Sequence, residues 1–366
     1  MKILHIVTSI NLGGAENHLF SLINEQLKHS HQVTVVYLKG DGHWALEYKK
    51  RGVKVICLEI SHYIFLYRSF KLKKICDEFI PDIIHAHMPP AELVMIINKI
   101  FFSIIRKIPQ VITKHNDEPF APIVGNHFFL NLSLKFSRGV IFISQAIRKY
   151  HEKIKLPFEV IYYGINKEEM RKISSVDLSI STNQFVIGTV ARLTEQKSLP
   201  TLLQAFKLFL EKYPDSTLVI VGVGELELEL KKLAKKLNIF EKTIWAGKRA
   251  DVYGIMKRFD IFALPSIYEG LGLVILEALA QKVPVIASRV SAIPEVLDNG
   301  NFGLLFEAEN YQELYDKFIQ VKEGRFKIDF NKCDEMLDAK FSLEKMYLKT
   351  QAFYCNAISF RATSVS

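Results

Sequence analysis

Two carboxylates eight positions apart, Glu269 and Glu277, stand in the apolar stretch YEGLGLVILEALA. The preceding DIFALPS reads as a strand that exits at Pro265–Ser266, so Glu269 falls in a loop and the helix starts near Gly272. The amides of Gly270, Leu271, Gly272 and Leu273 are then first-turn donors at the positive end of a helix dipole, where a diphosphate fits. Glu277 sits about one turn into an apolar helix that must be buried, and a buried carboxylate needs partners. The hydroxyls of a ribose would supply them. A helix-capping role accounts for Glu269 better than for Glu277.

Other residues with chemical potential also follow apolar strands. In VARLTEQKSL, Arg192 and Lys197 flank a loop leading into a helix. A guanidinium fork and an ammonium point charge at a strand end make a diphosphate clamp, with a solvated surface pair as the plainer alternative. His87 ends IIHAH, and Lys114 and His115 follow the next strand. No third ligand has helical or hairpin spacing, so a metal is not expected. His87 reads as structural, its ring satisfied by backbone groups, whereas His115 reads as a hydrogen-bonding partner of a sugar or phosphate. Gly13 and Gly14 in NLGGAEN open a helix after the first strand. They suit either close approach to an anion or a tight turn alone. Gly222 in VIVGVGE is a weak signal by itself, and WAGKR exposes Lys248 and Arg249 after another strand.

The elements that must position these residues alternate. KILHIVTS, QVTVVYL, VKVICLEI, PDIIHAH, PQVITKH and GVIFIS read as buried strands, with helical patterns such as Glu16–His29 and Ser69–Phe79 between most of them. After the polar stretch 166–184 the rhythm restarts with FVIGTVA, STLVIVG, TIWAG, DIFALPS, VPVIAS and FGLLF, and with helices over Leu199–Lys212, Leu226–Leu237 and Leu273–Ala280. This predicts an α/β protein of two doubly wound domains, 1–167 and 168–342, facing each other across a cleft. A terminal helix and tail follow over 343–366, the helix packing back on the first domain. Ligands of such sheets bind beyond the carboxyl ends of the strands, where the residues above lie.

The 366 residues, 49% hydrophobic and 24% charged, are of ordinary globular composition. Four scattered cysteines show no metal or disulfide spacing and fit a reducing compartment. MKILHIVTSI reads as a first strand rather than a signal peptide, and Lys99, Arg106 and Lys107 interrupt the longest apolar run, LVMIINKIFFSIIRKI. A cytoplasmic protein is expected. The net charge of +9 lies wholly in residues 1–167, where 22 Lys/Arg face 13 Asp/Glu. SHYIFLYRSFKLKK, Ser61–Lys74, mixes aromatics with cations, a pattern that suits the inner face of an anionic membrane or, more plainly, core beneath a helix.

Together, Glu269 and Glu277 in E-x7-E spacing, Arg192, Lys197, Gly13–Gly14 and the trailing PVIASRVSAIPEVLDNGNFGLLF resemble a retaining nucleotide-sugar glycosyltransferase of family four, with the GT-B fold. The resemblance runs from about residue 1 to 350 and is most specific over 186–306. It implies two Rossmann-like domains, the first for the acceptor and the second for the donor. It implies that Arg192 and Lys197 bind the donor diphosphate, that Glu277 holds the ribose, and that Glu269 contacts the donor sugar beside the amides of Gly270–Leu273. Gly222 would lie with the donor, and Lys248 and Arg249 would line the nucleobase pocket. Gly14 would approach the phosphate or sugar, with Gly13 and His87 toward the acceptor and His115 close to the reacting sugar.

Three positions depart from the family's usual pattern. Gly272 stands where proline is frequent, Ser291–Ala292 where Gly-Gly is frequent, and Tyr163 where asparagine is frequent; Tyr163 is given no role here. A UDP-sugar donor, a saccharide or lipid-linked acceptor, an anionic membrane surface, and neither cofactor, metal nor nucleic acid complete the expectation. A 2-epimerase of the same fold and a non-catalytic sugar-nucleotide binder are the competing readings.

Overall fold

A computed structural model describes residues 1–11, 13–60, 65–115, 132–178, 180–181 and 183–359, without the side chains of 65 and 66. The chain forms two compact units. One comprises residues 1–164 and 341–366, the other residues 165–340.

The first unit is built on a seven-stranded parallel sheet: β1 (Lys2–Val7), β2 (Gln32–Tyr37), β3 (Lys54–Cys57), β4 (Ile83–His87), β5 (Gln110–Lys114), β6 (Gly139–Phe142) and β7 (Phe158–Val160). Their order is β3-β2-β1-β4-β5-β6-β7. Strand pairs in a parallel ladder need crossovers, and helices such as Gly14–Lys28 and Pro89–Phe101 supply them. The strands are covered on both faces, which explains their unbroken Ile/Val/Leu runs. After the second unit the chain returns as the helix Leu343–Ser359. It buries Met346, Phe353, Tyr354 and Ala357 against Ile3, Leu22, Ile83, Val111 and Ile141. Each large apolar side chain so covered contributes about 1.5–3 kcal/mol. The region read as one helix over Ser69–Phe79 is two, Phe65–Ser69 and Lys71–Phe79. Residues 61–64 of the aromatic and basic stretch lie outside the described residues.

The second unit carries a six-stranded parallel sheet: β8 (Phe185–Val190), β9 (Ser216–Val221), β10 (Thr243–Gly247), β11 (Ile261–Leu264), β12 (Val285–Ser288) and β13 (Leu304–Phe306). The order is β10-β9-β8-β11-β12-β13. Phe206, Phe209, Leu218, Ile220 and Phe318 centre its core. In both sheets the order reverses beside the first strand, between β1 and β4 and between β8 and β11. Such a reversal parts the flanking loops and leaves a crevice at the strands' carboxyl ends.

Candidate active site

At the reversal in the second sheet, the loops after β8 and β11 are stitched together. The Ile267 amide donates to the Gln196 carbonyl at 2.8 Å, Gln196 Nε2 donates to the Tyr268 carbonyl at 3.0 Å, and Arg192 Nη2 donates to Gln196 Oε1 at 3.1 Å. Lys197 closes a short 3-10 turn, Glu195–Lys197, and its ammonium forms an ion pair with Glu269 Oε1. The same oxygen accepts from Ser266 Oγ at 2.7 Å, and the Glu269 amide donates to Ser291 Oγ at 3.2 Å. Both charged side chains are nearly buried, so the pair is held in one geometry rather than dispersed in solvent. Two residues 72 positions apart thus become one ionic unit, with Arg192 exposed at its edge.

Gly272 begins the helix Leu273–Ala280 from a left-handed backbone, φ 77° and ψ 50°. This turn needs glycine, because a side chain there costs about 1–2 kcal/mol. The helix is apolar except for Glu277, which is buried. One carboxylate oxygen accepts a long bond, 3.3 Å, from the Tyr253 hydroxyl. Burial pushes the Glu277 carboxyl up to about 7, the Tyr253 bond offsetting only part of the effect. In turn burial, and then Glu277, raise the Tyr253 hydroxyl. The carboxylate is therefore under-solvated, and two ligand hydroxyls would satisfy it.

The remaining residues of this unit are placed as follows. Gly222 has φ +135°, and a Cβ there would stand 1.9 Å from the Ala191 carbonyl oxygen. Its glycine is required by packing between the ends of β8 and β9. Lys248 and Arg249 are exposed after β10, and Arg249 makes two bonds to Asp251 at 2.8 and 2.5 Å.

The reversal in the first sheet gathers histidines. His5 on β1, His87 at the end of β4 and His115 after β5 form a buried chain. His5 Nε2 meets Gln26 Oε1 at 2.9 Å, His5 Nδ1 meets His87 Nε2 at 3.0 Å, and His87 Nδ1 meets His115 Nε2 at 3.2 Å. His115 Nδ1 meets the Tyr163 hydroxyl at 2.6 Å. His87 is thus satisfied by two neighbouring imidazoles, not by the backbone groups expected from the sequence. Burial lowers His5 to about 4 and His115 to about 3, the latter helped by the Lys114 charge. His87 is held well below the usual imidazole range, by burial and then by the other histidines. Lys114 is paired with buried Glu92 at 2.6 Å.

His85 lies against His87 with ring centres 3.9 Å apart and the rings tilted by 36°. It bonds the Tyr354 hydroxyl and Thr113 Oγ1, both at 2.6 Å. Ring nitrogens of His5, His85 and His87 come within 4.8 Å of one another. Both nitrogens of each ring are already engaged, so a cation there would have to displace hydrogen bonds. His18 stacks on Tyr163 at 4.2 Å, and its buried Nδ1 has no partner among the described residues. Gly13 is extended and lies against Glu16, whereas a Cβ on Gly14 would meet open space, leaving the backbone accessible at the start of the helix Gly14–Lys28.

The sequence reading did not single out His5, His18, Gln26, Tyr253 or Ser266, and gave Tyr163 no role. The signal for His5 was a polar residue inside the apolar run ILHIV; in the sheet it is register-paired with His85 on the neighbouring strand.

Two family models cover these two units. The model for glycosyl transferases group 1 matches residues 170–338, and that for glycosyltransferase family 4 matches residues 12–169. The chain belongs to glycosyltransferase family four. Among curated relatives of this family-four chain, an uncharacterised glycosyltransferase of Methanocaldococcus jannaschii is 28% identical over 61% of this chain and 59% of its own length. The UDP-Gal:alpha-D-GlcNAc-diphosphoundecaprenol alpha-1,3-galactosyltransferase of Escherichia coli is 30% identical over 53% of this chain and 51% of its own. The chain therefore spans little more than half the length of these two relatives. The fold is GT-B: Anabaena HepE in complex with UDP-glucose superposes with a TM-score of 0.81 at 23% identity, covering 97% of this chain and all of that one.

Proposed function

We propose that the chain transfers a sugar from a nucleoside diphosphate sugar, a UDP-sugar first among them, to a saccharide or lipid-linked acceptor, with retention at the anomeric carbon. The observation that carries this reading is the Lys197–Glu269 pair at the reversal of the second sheet, beside the helix start at Gly272 and the under-solvated Glu277. As the sugar–phosphate bond breaks, charge develops on the departing diphosphate. Lys197, Arg192 and the amides of Gly270 to Leu273 stabilise it electrostatically, in the part that a bound cation could otherwise play. Glu277 takes the ribose hydroxyls. Glu269 holds Lys197 in place with Oε1 and offers its other oxygen to hydroxyls of the donor sugar. Lys248 and Arg249 flank the base, and Gly222 lets the β8 and β9 loops close up behind it.

Retention follows from front-face attack: the acceptor hydroxyl bonds to the anomeric carbon as the phosphate oxygen leaves and takes the acceptor proton. No protein base is required. His115 suits such a reaction as a positioning group, because it is neutral and both its ring nitrogens are bonded. Gly13 and Gly14, at the open start of the first helix, and His87 serve the acceptor side. Thermal stabilisation by UDP-, GDP- and ADP-sugars tests the donor. At 100 times Kd a bound donor adds about 2.7 kcal/mol. Stabilisation by none of them, or conversion of the donor to an epimer without acceptor, contradicts transfer.

The acceptor reading extends to an anionic bilayer. Tyr67, Phe101 and Ile104 are 75%, 61% and 49% exposed, and Phe70 packs edge-on against Phe101 and Phe102. Residues 65–74 and 100–107 carry six Lys/Arg and no Asp/Glu. Apolar side chains rimmed by cations match an anionic headgroup region. Among the described residues no helix is long and apolar enough to cross a membrane. A protein of the cytoplasmic face, bound peripherally, fits these features. Flotation with phosphatidylglycerol vesicles at low salt is expected, and loss on Phe101→Ser/Ile104→Ser. Binding unchanged by that double substitution overturns the surface.

A further inference from the structure

The buried histidine chain of the first unit has a direction, and the transfer proposed above makes no use of it. A neutral imidazole donates through one ring nitrogen and accepts through the other. The carbonyl of Gln26 faces His5 and can only accept. His5 therefore carries its proton on Nε2 and accepts at Nδ1. His87 then donates from Nε2 and accepts at Nδ1. His115 does the same in its turn, and the Tyr163 hydroxyl donates to His115 Nδ1. Four hydrogen bonds hold four protons, all pointing from Tyr163 toward Gln26. The opposite direction requires the Gln26 amide to turn over and all three rings to exchange tautomers together. The Gln26 amide, whose buried Nε2 has no hydrogen-bond partner among the described residues, and the three rings thus share one direction, which sets the nitrogen of His115 that bears the proton and the way the Tyr163 hydroxyl points.

Charged and titratable groups surround the chain on every side. Lys114 on β5 is paired with Glu92. His18 stacks on Tyr163, and Glu16, on the same helix, acts on the Tyr163 hydroxyl. His85 lies on His87, and Tyr354 on the terminal helix bonds His85. None of these interrupts the four bonds.

We propose that Gln26, His5 and His87 are positioning residues that fix His115 in its Nε2–H form and turn the Tyr163 hydroxyl inward, leaving the Tyr163 oxygen to accept from a bound hydroxyl. Its catalytic consequence rests on the glycosyl-transfer reading; the tautomers do not. The position held by Tyr163 is thereby an extension of the histidine chain.

Selective 15N-histidine labelling and long-range 1H–15N spectra of the full chain test it without donor or acceptor. His5, His87 and His115 are expected as Nε2–H forms, unchanged between pH 6 and 9. A proton on Nδ1 of His115, or titration of any of the three in that range, overturns the proposal. Gln26→Met removes the terminal acceptor, and His115 should then show a mixture of tautomers. Gln26→Glu, whose carboxylate also only accepts, should restore the Nε2–H form. Wild-type shifts for His115 in Gln26→Met overturn the proposal; if that variant does not fold, the wild-type spectrum alone decides. With a donor in hand, Gln26→Met should lower kcat about tenfold or more while donor KM stays within about twofold. Correct tautomers with no transfer from any donor would leave the relay standing and refute the function.

Discussion

Glu277→Gln should make the unliganded protein more stable at pH 8 while weakening nucleotide binding. Glu277 is buried in an apolar helix with one 3.3 Å bond, and its carboxyl is pushed up to about 7 from an ordinary 4.5. The native state therefore holds a proton that the unfolded chain has released. Between pH 4.5 and 7 the folded form binds more protons than the unfolded form, so stability falls as pH rises, then levels off above 7. The difference corresponds to about 3 kcal/mol at pH 8. Glutamine keeps the shape and removes the charge, so the variant should recover much of this at pH 8 and little at pH 4.5. For a unit of this size 1 kcal/mol moves Tm by about 2–4 °C, giving an upper bound of roughly 12 °C at pH 8. Differential scanning calorimetry of the wild type and variant at the two pH values measures it. A variant less stable than wild type at pH 8, or a gain equal at both pH values, refutes the reasoning. With ribose hydroxyls donating to the ionised carboxylate, as proposed, UDP should bind the wild type more tightly above pH 7 and release a proton on binding near pH 6.5.

Removing one member of the buried ion pair strands the other. Lys197→Ala should destabilise the protein by about 3 kcal/mol, read from chemical denaturation, and Lys197→Ala/Glu269→Gln should regain most of that without regaining transfer. Gly272→Ala forces a side chain into a left-handed turn and should cost about 1–2 kcal/mol by the same assay. Gly222→Ala places a methyl 1.9 Å from a backbone oxygen, and the soluble yield should collapse, whereas Gly14→Ala, facing open space, should fold normally.

The strands were legible because parallel sheets are buried on both faces and read as runs of Ile, Val and Leu. The helices Leu199–Lys212 and Leu273–Ala280 occupy the residues that their periodicity marks. Short edge elements were not legible. Three-residue β7 carries too little pattern, and the helix Phe330–Phe341 follows no strand. At the candidate site, residue types were visible but partners were not. Nothing local in TEQKSL or IYEGLG tells that Lys197 and Glu269 meet across 72 residues. Gly222 looked like a ligand-facing glycine, and the close approach that demands it comes from the Ala191 carbonyl on an adjacent loop. Tyr163 stood out only as a departure, because its partner His115 lies 48 residues away and is brought to it by the ladder from β5 through β6 to β7.

Isothermal titration of UDP into the full-length chain, beside Lys197→Ala/Glu269→Gln, tests the central claim most directly. The account predicts one site per chain, tighter at pH 8 than at pH 6, and at least tenfold weaker when the lysine and its carboxylate are replaced. Absence of heat with UDP, GDP and ADP alike, or equal affinity in the double variant, would contradict it.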